Sequence, residues 1–589
     1  MRQLTILDIS QNNITGHLPA CMGQFTRLRT LDLSGNNLTR LPHEIGLLSG
    51  LRTLELSYNH LTGRVPYEIG LLSNLTFLGL NNNDLDGVIT EEHFASLKSL
   101  KHIDLSYNSL RINISSEWQP PFRLNFAHFA ACQMGPKFPS WLRRLVDVEE
   151  IDISSAGIDD FLPDWFSNVF SNAIIMDMSN NQLIGDMPSN MELMSLEELY
   201  LSSNQITGQI PTLPLNLTTL DISLNYLSGP LPSNFGVPNL QILFLYTNHI
   251  TGHIPRCICN CENLFVIDLA NNIFEGELPL CHGNRNTMTM LDLSNNSLSG
   301  EFPAVLQNFP HLGFLDLARN NFSGRLPPWI GDFEGLLFLR LSHNMFSGNI
   351  PTSMTKLMCI QYLDVANNSI SGSLPRDLSK LLSMMDKGFC SLGYNMLAKH
   401  GASVFAEMKG RQLNYGTSYK VIDMGLINID MSLNNLSGEL PEDIATLDAL
   451  VSLNLSWNHL TGKIPNKIGA MWSLESLDLS RNNLSGYIPA SVSNLTFLGY
   501  LDLSYNNLSG KIPSGPQFDS LYADYPTMYY GNNGLCGAPL IKSCSNKHAL
   551  EQRGQLINST EEGQGADFFY FGLGCGIQQK MENCLFPPL

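Results

Sequence analysis

One spacing constrains this chain more than any other feature. An Asn recurs at Asn12, Asn36, Asn59, Asn83 and Asn108, then at Asn204, Asn225, Asn248, Asn272, Asn296, Asn320, Asn344 and Asn368. It resumes at Asn434, Asn458, Asn482 and Asn506, and most intervals are 23 to 25 residues. Between the first two runs, Cys132, Ala156 and Asn181 occupy the same slot. Around each Asn the pattern is L-x-x-L-x-L-S-x-N-x-L-x-G-x-I-P, with Val or Leu also accepted before the Pro, as in Leu51 to Asn74. A period of this length, held across most of 589 residues, means one supersecondary unit per period. At roughly 150 residues per domain the length would suggest about four globules, but stacked repeats form one continuous body instead.

Each consensus position has a physical reason. The alternating L-x-L is a short strand with one face inward. Successive coils pair these strands in parallel, and stacking buries leucines that no coil buries alone. The Asn side chain bonds backbone groups in the turn after the strand. The following Gly permits positive φ, and the Pro fixes φ while donating no hydrogen bond. About twenty coils result, spanning roughly 95 Å at about 4.8 Å per paired strand.

Composition narrows the partners. With 34 basic against 53 acidic side chains the net charge is −19, and no basic patch is available to displace counterions from nucleic acid. Hydrophobic residues make up 43% of the chain, enough for a long core, while only 15% are charged, so Asn and Ser fill the surface. Glycosylation sequons stand at Asn13, Asn37, Asn74, Asn113, Asn216, Asn295, Asn321, Asn367, Asn435, Asn454, Asn483, Asn494, Asn507 and Asn558. An Asn-Leu-Ser consensus generates some of these by itself, but Asn113, Asn216, Asn494 and Asn558 lie outside that slot. The sequons predict the outside of a cell. Met1-Arg2-Gln3 nevertheless leads straight into Leu4, a core position, and the longest apolar run, Phe568 to Ile577, is half of a membrane span. Both ends read as cut.

The L-x-G-x-I-P extension resembles the plant-type extracellular leucine-rich repeat of receptor kinases, receptor-like proteins and polygalacturonase-inhibiting proteins. The resemblance covers residues 1 to about 545 and implies an α/β solenoid, a right-handed leucine-rich-repeat superhelix with a parallel concave β-sheet and about twenty 24-residue repeats. It divides the chain into about sixteen repeats over 1–375, an island insertion over 376–427, four repeats over 428–512 and a C-terminal cap over 513–545. An acidic juxtamembrane linker over 546–567 and a truncated membrane segment over 568–589 follow. The island, with Met408-Lys409-Gly410-Arg411 leading to Tyr415, and the four repeats after it match the receptor-like proteins rather than the short inhibitors. No kinase signature follows. The resemblance therefore implies a ligand-recognition ectodomain at the plasma membrane's outer face, without a kinase. It would bind an extracellular peptide, protein or glycan and signal through partner receptor kinases, most often in defence and sometimes in development. The alternatives are a secreted inhibitor of a microbial cell-wall hydrolase and a truncated, non-functional or mis-targeted product.

Candidate sites are few. Cys259 and Cys281 lie 22 residues apart near adjacent turns of successive coils, and Cys536 and Cys544 are spaced to close a loop over the last coil, so both pairs are expected disulfides. Cys257 and Cys261 pair or stay thiols, Cys132, Cys359 and Cys390 are readable as buried thiols, and Cys21, Cys575 and Cys584 are unassigned. No C-x-x-C pair with a histidine partner has zinc spacing, so neither metal nor cofactor is expected. Thirteen coils carry an Asp beside the strand leucine, from Asp8 and Asp32 to Asp478 and Asp502. Repetition supplies these carboxylates with identical surroundings, whereas paired catalytic acids need unlike ones, so they predict an acidic face and not an enzyme. Departures from the ladder are more informative. Tyr200, Phe244 and Arg340 replace the Asp, and Tyr246, Phe265, Phe314, Arg319, Phe338, His343 and Tyr362 occupy nearby slots expected to be exposed. Aromatic and Arg side chains dominate binding hot spots, so these residues, with Lys409, Arg411 and Tyr415 of the island, form the expected ligand surface. No G-x-S-x-G, H-E-x-x-H or P-loop motif is present.

Overall fold

The computed structural model describes residues 3–544, except 236, 282–286, 387, 391–404, 409–410 and 415–426. Residues 1–543 form one compact unit; 544–589 form a second, which apart from Cys544 lies outside the described residues. The expected linker and membrane remnant, 546–589, therefore lie outside them too.

The first unit is a solenoid. Twenty inner strands of three residues each, from Ile6–Asp8 to Tyr500–Asp502, form one parallel sheet in which sequence neighbours are sheet neighbours. Register is uniform, as where Thr30, Leu31 and Asp32 face Thr53, Leu54 and Glu55. The central residue of each strand, Leu in fourteen of the twenty, packs into a single core running the length of the unit, and Leu31, Leu54 and Leu453 are buried there. Sixteen of these strands precede the insertion and four follow it.

The repeated Asn ties coil to coil as well as closing its own turn. Asn59 is representative. Its Nδ2 donates to the carbonyls of Leu56 and Ser57 in its own coil at 3.1 and 3.2 Å, and to that of Leu33 in the preceding coil at 3.0 Å. Its Oδ1 accepts the N–H of Leu38, again in the preceding coil, at 3.0 Å. Where Cys132 replaces Asn, the thiol donates to Leu105 O at 3.3 Å and keeps one of these bonds. Where Ala156 replaces it, Asn181 Oδ1 accepts the N–H groups of both Ala156 and Ile158.

Two further turns close the coil. The residue just before each ladder Asn is left-handed, from Gln11 at φ 53° to Tyr505 at φ 53°. After the outer strand, Pro sets the extended backbone that caps a short 3-10 helix, as Pro42 and Pro66 do at φ −83° and −65°. A Cβ on Gly70 in that helix would lie 2.3 Å from Glu92 O, so the consensus Gly lets neighbouring convex segments approach. The outer strands pair into shorter parallel sheets, the longest having nine strands from Ser228–Pro230 to His459–Thr461.

The solenoid crosses the insertion unbroken. Tyr362–Asp364 pairs directly with Asn428–Asp430, and Ser369–Gly372 with Asn435–Glu439. Residues 378–386 still belong to the sixteenth coil: Leu378, Leu381 and Met384 are buried, and Ala449 N–H donates to Met384 O. The consensus thus lapses at 376, about ten residues before the solenoid geometry does: Pro375 keeps its place and Leu378, Leu381 and Met384 keep the core positions, but the helix starts only at Leu378, after a left-handed Asp377. Within the island, Phe405–Met408 and Arg411–Asn414 pair as antiparallel strands. At the other end, the cap extends the ladder: Asn532 donates to Leu503 O and accepts the N–H of Leu508, and the helix Pro516–Asp524 buries Phe518 and Leu521.

A left-handed backbone disfavours β-branched residues most, and Thr247 occupies it at φ 56° with its side chain exposed. Thr247→Asn should therefore stabilise the protein by about 0.5–1 kcal/mol. Thermal unfolding checks this, and an unchanged or lower melting temperature would show that Thr247 is not strained.

Candidate recognition surface

On the concave face each inner strand presents its first and third residues, and uniform register stacks them into two columns. The third-position column runs Asp177, Tyr200, Asp221, Phe244, Asp268, Asp292, Asp316, Arg340, Asp364, Asp430, Asn454, Asp478, Asp502. The first-position column turns apolar over six successive coils: Ile242, Val266, Met290, Phe314, Phe338, Tyr362. Strands about 4.8 Å apart hold flat rings at stacking distance. Phe314 and Phe338 lie 4.3 Å apart at 7°, and Phe338 and Tyr362 lie 4.5 Å apart at 10°.

The ladder Asp has a structural duty. In nearly every coil its Oδ1 accepts the N–H two residues on, as Asp292 does from Ser294 at 2.9 Å, often with the Ser hydroxyl as well. The expectation that all these carboxylates share one environment is corrected by the structure. Asp8, open to solvent, is held below the ordinary carboxylate range by hydrogen bonds from Ser10. Burial pushes Asp268 and Asp292 up to about 7, and Asp316 up to about 8. Identical backbone does not give identical solvent when the neighbouring column is aromatic in one stretch and polar elsewhere.

The ligand surface expected from sequence is corrected in the same stretch. Phe338 and Arg340 are each only 3% exposed, and Phe244, Tyr246, Phe314 and Tyr362 are buried as well. With Val266, Ala270 and Met290 the five aromatic residues form a second, smaller apolar cluster separate from the main core. Arg340 bridges its neighbours in the column, with Nη1 3.4 Å from Asp316 Oδ2 and Nε 3.4 Å from Asp364 Oδ2. Ser342 Oγ donates to that Asp364 oxygen at 2.7 Å. Tyr200, Phe265, Arg319 and His343 are half-buried; Phe265 packs against the cluster, and Tyr200 donates its hydroxyl to Glu198 at 2.8 Å. Lys409 and Tyr415 lie outside the described residues; Arg411 lies in the island's second strand, its side chain undescribed.

Cys259 and Cys281 are joined, across successive coils. Cys536 and Cys544 are each disulfide-bonded. A third bridge, Cys359–Cys390, pairs two residues read from sequence as buried thiols. Its 31-residue separation matched no period of the repeat, which is why spacing did not reveal it. Cys132, Cys257 and Cys261 are thiols, and burial drives Cys132 up to about 12. Of the sequon residues, most are exposed, Asn37 and Asn454 are half-buried, and Asn558 lies outside the described residues. Asn454 takes the ladder slot itself, donating to Asp430 Oδ2 at 2.9 Å.

A second aromatic group near the N-terminal end was not singled out from sequence. Phe77 stacks on His102 at 4.3 Å, and His102 contacts Phe126 at 5.2 Å. His128 stands between Asp104 and Glu150, 3.9 and 3.6 Å away, and burial together with His128 pulls His102 down to about 4. Two His at strand positions in adjacent coils were the available signal.

Comparison with known proteins agrees with this architecture. Residues 1–159 match the family described as a leucine-rich repeat region, and ten segments between 195 and 518 match the leucine rich repeat. The ectodomain of the Arabidopsis receptor kinase HAESA, solved with the peptide hormone IDA and the co-receptor SERK1, superposes with a TM-score of 0.73 at 31% identity, covering 90% of this chain and 86% of that one. The chain belongs to the plant leucine-rich-repeat receptor family. Among receptor-like proteins, EIX2 of Solanum lycopersicum is 42% identical over 135 residues, 22% of this chain and 13% of that protein. The PEPR1–AtPEP1 complex matches with a TM-score of 0.72 at 26% identity, covering 91% and 73%. The match to EIX2 thus spans well under two thirds of that receptor-like protein's length.

In this receptor chain, the raised carboxylates couple stability to pH. An Asp that keeps its proton when folded, but loses it near pH 4 when unfolded, adds stability that is complete at low pH and is lost as pH rises to the folded value. Between pH 5 and pH 8 the protein should therefore lose stability, by on the order of 1 kcal/mol per such group. Asp316→Asn, which can still accept the turn N–H as Asn454 does from Ser456, should reduce that loss. Denaturant titrations at the two pH values measure it; equal slopes with pH in both proteins would refute the assignment.

Proposed function

We propose that this chain is the ligand-recognition part of a plant cell-surface receptor-like protein, that the ligand is an extracellular peptide, and that binding takes place on the concave face of coils nine to sixteen. The observation that carries this reading is the change in composition along one register. The acidic third-position column is interrupted by Tyr200, Phe244 and Arg340, and the first-position column is apolar from Ile242 to Tyr362, within a single stretch of an otherwise monotonous face. Folding alone does not require this, since the main core is complete without these side chains. The complexes of HAESA with IDA and of PEPR1 with AtPEP1 support a peptide as the ligand class. The half-buried Tyr200, Arg319 and His343 are the accessible contacts, and the stacked rings of the same stretch fix the shape of the surface.

The family relationship and the repeated frame support a binding role rather than a catalytic one. Signalling then depends on partner receptor kinases, and defence against microbes is the favoured setting, given the kinship with receptor-like proteins such as EIX2. Among the described residues no helix is long and apolar enough to cross a membrane. The sequons support an extracellular location.

The test uses the full chain fused to a leader and a membrane anchor, expressed in leaf tissue and challenged with fractionated microbial and plant peptides. The triple variant Tyr200→Ala, Arg319→Ala, His343→Ala should raise the half-maximal dose of any active fraction at least about thirtyfold, the scale of a hot-spot loss of about 2 kcal/mol. Its melting temperature should change little. An undiminished response from the folded triple variant would remove the concave face from recognition.

A further inference from the structure

The slot just before the ladder Asn is left-handed in every coil, and nine of the twenty coils fill it with Gly, Asn, Ala or Ser, which suit that backbone or are small. Gly35, Asn82, Asn180, Asn271, Asn295 and Asn367 are examples. Larger residues stand there singly or in pairs before the insertion, as at Tyr58, Tyr107 and Leu224 with Thr247, but the four coils after it hold the longest unbroken run. In direct succession they place Leu433, Trp457, Arg481 and Tyr505 there, at φ between 53° and 54°. Bulky side chains are disfavoured in this conformation, and burial does not compensate: Leu433 is 45% exposed, Trp457 51% and Tyr505 48%. Strain kept at the surface, in side chains the core does not use, points to a function outside the fold.

The four side chains form one strip. Backbone bonds link the slots coil by coil, from Leu433 N–H to Ser456 O, Trp457 N–H to Ser480 O and Arg481 N–H to Ser504 O. Arg481 is held between two rings, its Cζ 4.1 Å from the centre of Trp457 and 4.2 Å from that of Tyr505. Trp457 and Tyr505 belong to the coils on either side, so the guanidinium has a ring against it from each, while Arg481 stays exposed to solvent. Among the described residues no hydrogen bond or ion pair engages that side chain. The next slot is Gly531, where a Cβ would come within 2.8 Å of the Tyr505 ring, so the backbone lies close against the far side of Tyr505.

We infer that this strip is a docking site for a second protein that presents a carboxylate flanked by apolar side chains, with Arg481 pairing the carboxylate and Trp457 and Tyr505 forming the apolar surround. A guanidinium prearranged in its plane matches a carboxylate in two-point fashion, and aromatic residues beside Arg are the composition of protein interface hot spots. A sugar would need open ring faces to stack on, and here the inward faces are taken by Arg481 and the outer face of Tyr505 is crowded by Gly531. The site is separate from the concave patch proposed above and does not rest on it. Asn435, Asn483 and Asn507 follow two positions later at or near the start of the outer strands, so glycans there would border the strip on its outer side.

The experiment pans a random-peptide library on the full glycosylated chain, with Arg481→Gln and the pair Trp457→Asn, Tyr505→Asn as parallel targets and an oligogalacturonate as the sugar probe. Enriched peptides should carry Asp, Glu or a free C-terminal carboxylate next to an apolar residue. They should bind at least about tenfold more weakly to either variant. The melting temperature of the Asn pair should equal or exceed that of the parent, since the slot favours Asn, and that of Arg481→Gln should change little. Peptides that bind all three proteins alike, no enrichment at all, or selective binding of the oligogalacturonate would overturn the proposal. So would a clear fall in melting temperature for the Asn pair, which would make the strip a structural stack.

Discussion

Everything in this molecule depends on a short polar side chain buried among leucines. A coil of about 24 residues cannot satisfy its own turn, and its carbonyls would be buried without partners. The ladder Asn resolves this with one group. Its amide donates to carbonyls of two coils and its oxygen accepts an N–H of the preceding coil, as at Asn272, which reaches Leu245, Leu269, Ala270 and Ile250. Each Asn therefore fixes both the turn and the stacking distance. Uniform register follows, and from uniform register come the columns on the concave face.

Those columns explain how a monotonous scaffold acquires local character. A substitution at one strand position meets only the same position in the coils on either side, so a run of changes produces a contiguous patch. Phe314, Phe338 and Tyr362 become a stack because the strands hold them in line. The same proximity shields the adjacent Asp residues and raises their affinity for protons, which a single coil in water would not do. Arg340 sits where two such carboxylates can share it.

The solenoid was legible in the sequence because its determinants are local and periodic: strand leucines, turn Asn, Gly and Pro each declare themselves within one repeat. The crossing of the insertion was legible too, since Asn368 and Asn434 keep the same consensus on either side. What could not be read was exposure. Whether Phe338 faces solvent depends on what stands beside it in the coils on either side, here Phe314 and Tyr362, and the period gives its column but not its cover. Cys359–Cys390 was hidden for a related reason, because one partner lies outside the periodic frame. The left-handed slot escaped notice because residues as unlike as Tyr58, Thr247 and Arg319 all occupy it. Its preference shows only once the backbone is seen.

The central claim is that the Asn ladder, more than any one leucine, couples neighbouring coils. Asn272→Ala tests it with denaturant unfolding and hydrogen exchange on the same protein. The account predicts a loss of about 2–4 kcal/mol, from carbonyls left buried without donors. It also predicts loss of protection in the strand of that coil and of the one before it, while distant coils stay protected. A loss under about 0.5 kcal/mol, the usual scale of a neutral surface change, or exchange altered only within the mutated turn, would contradict it.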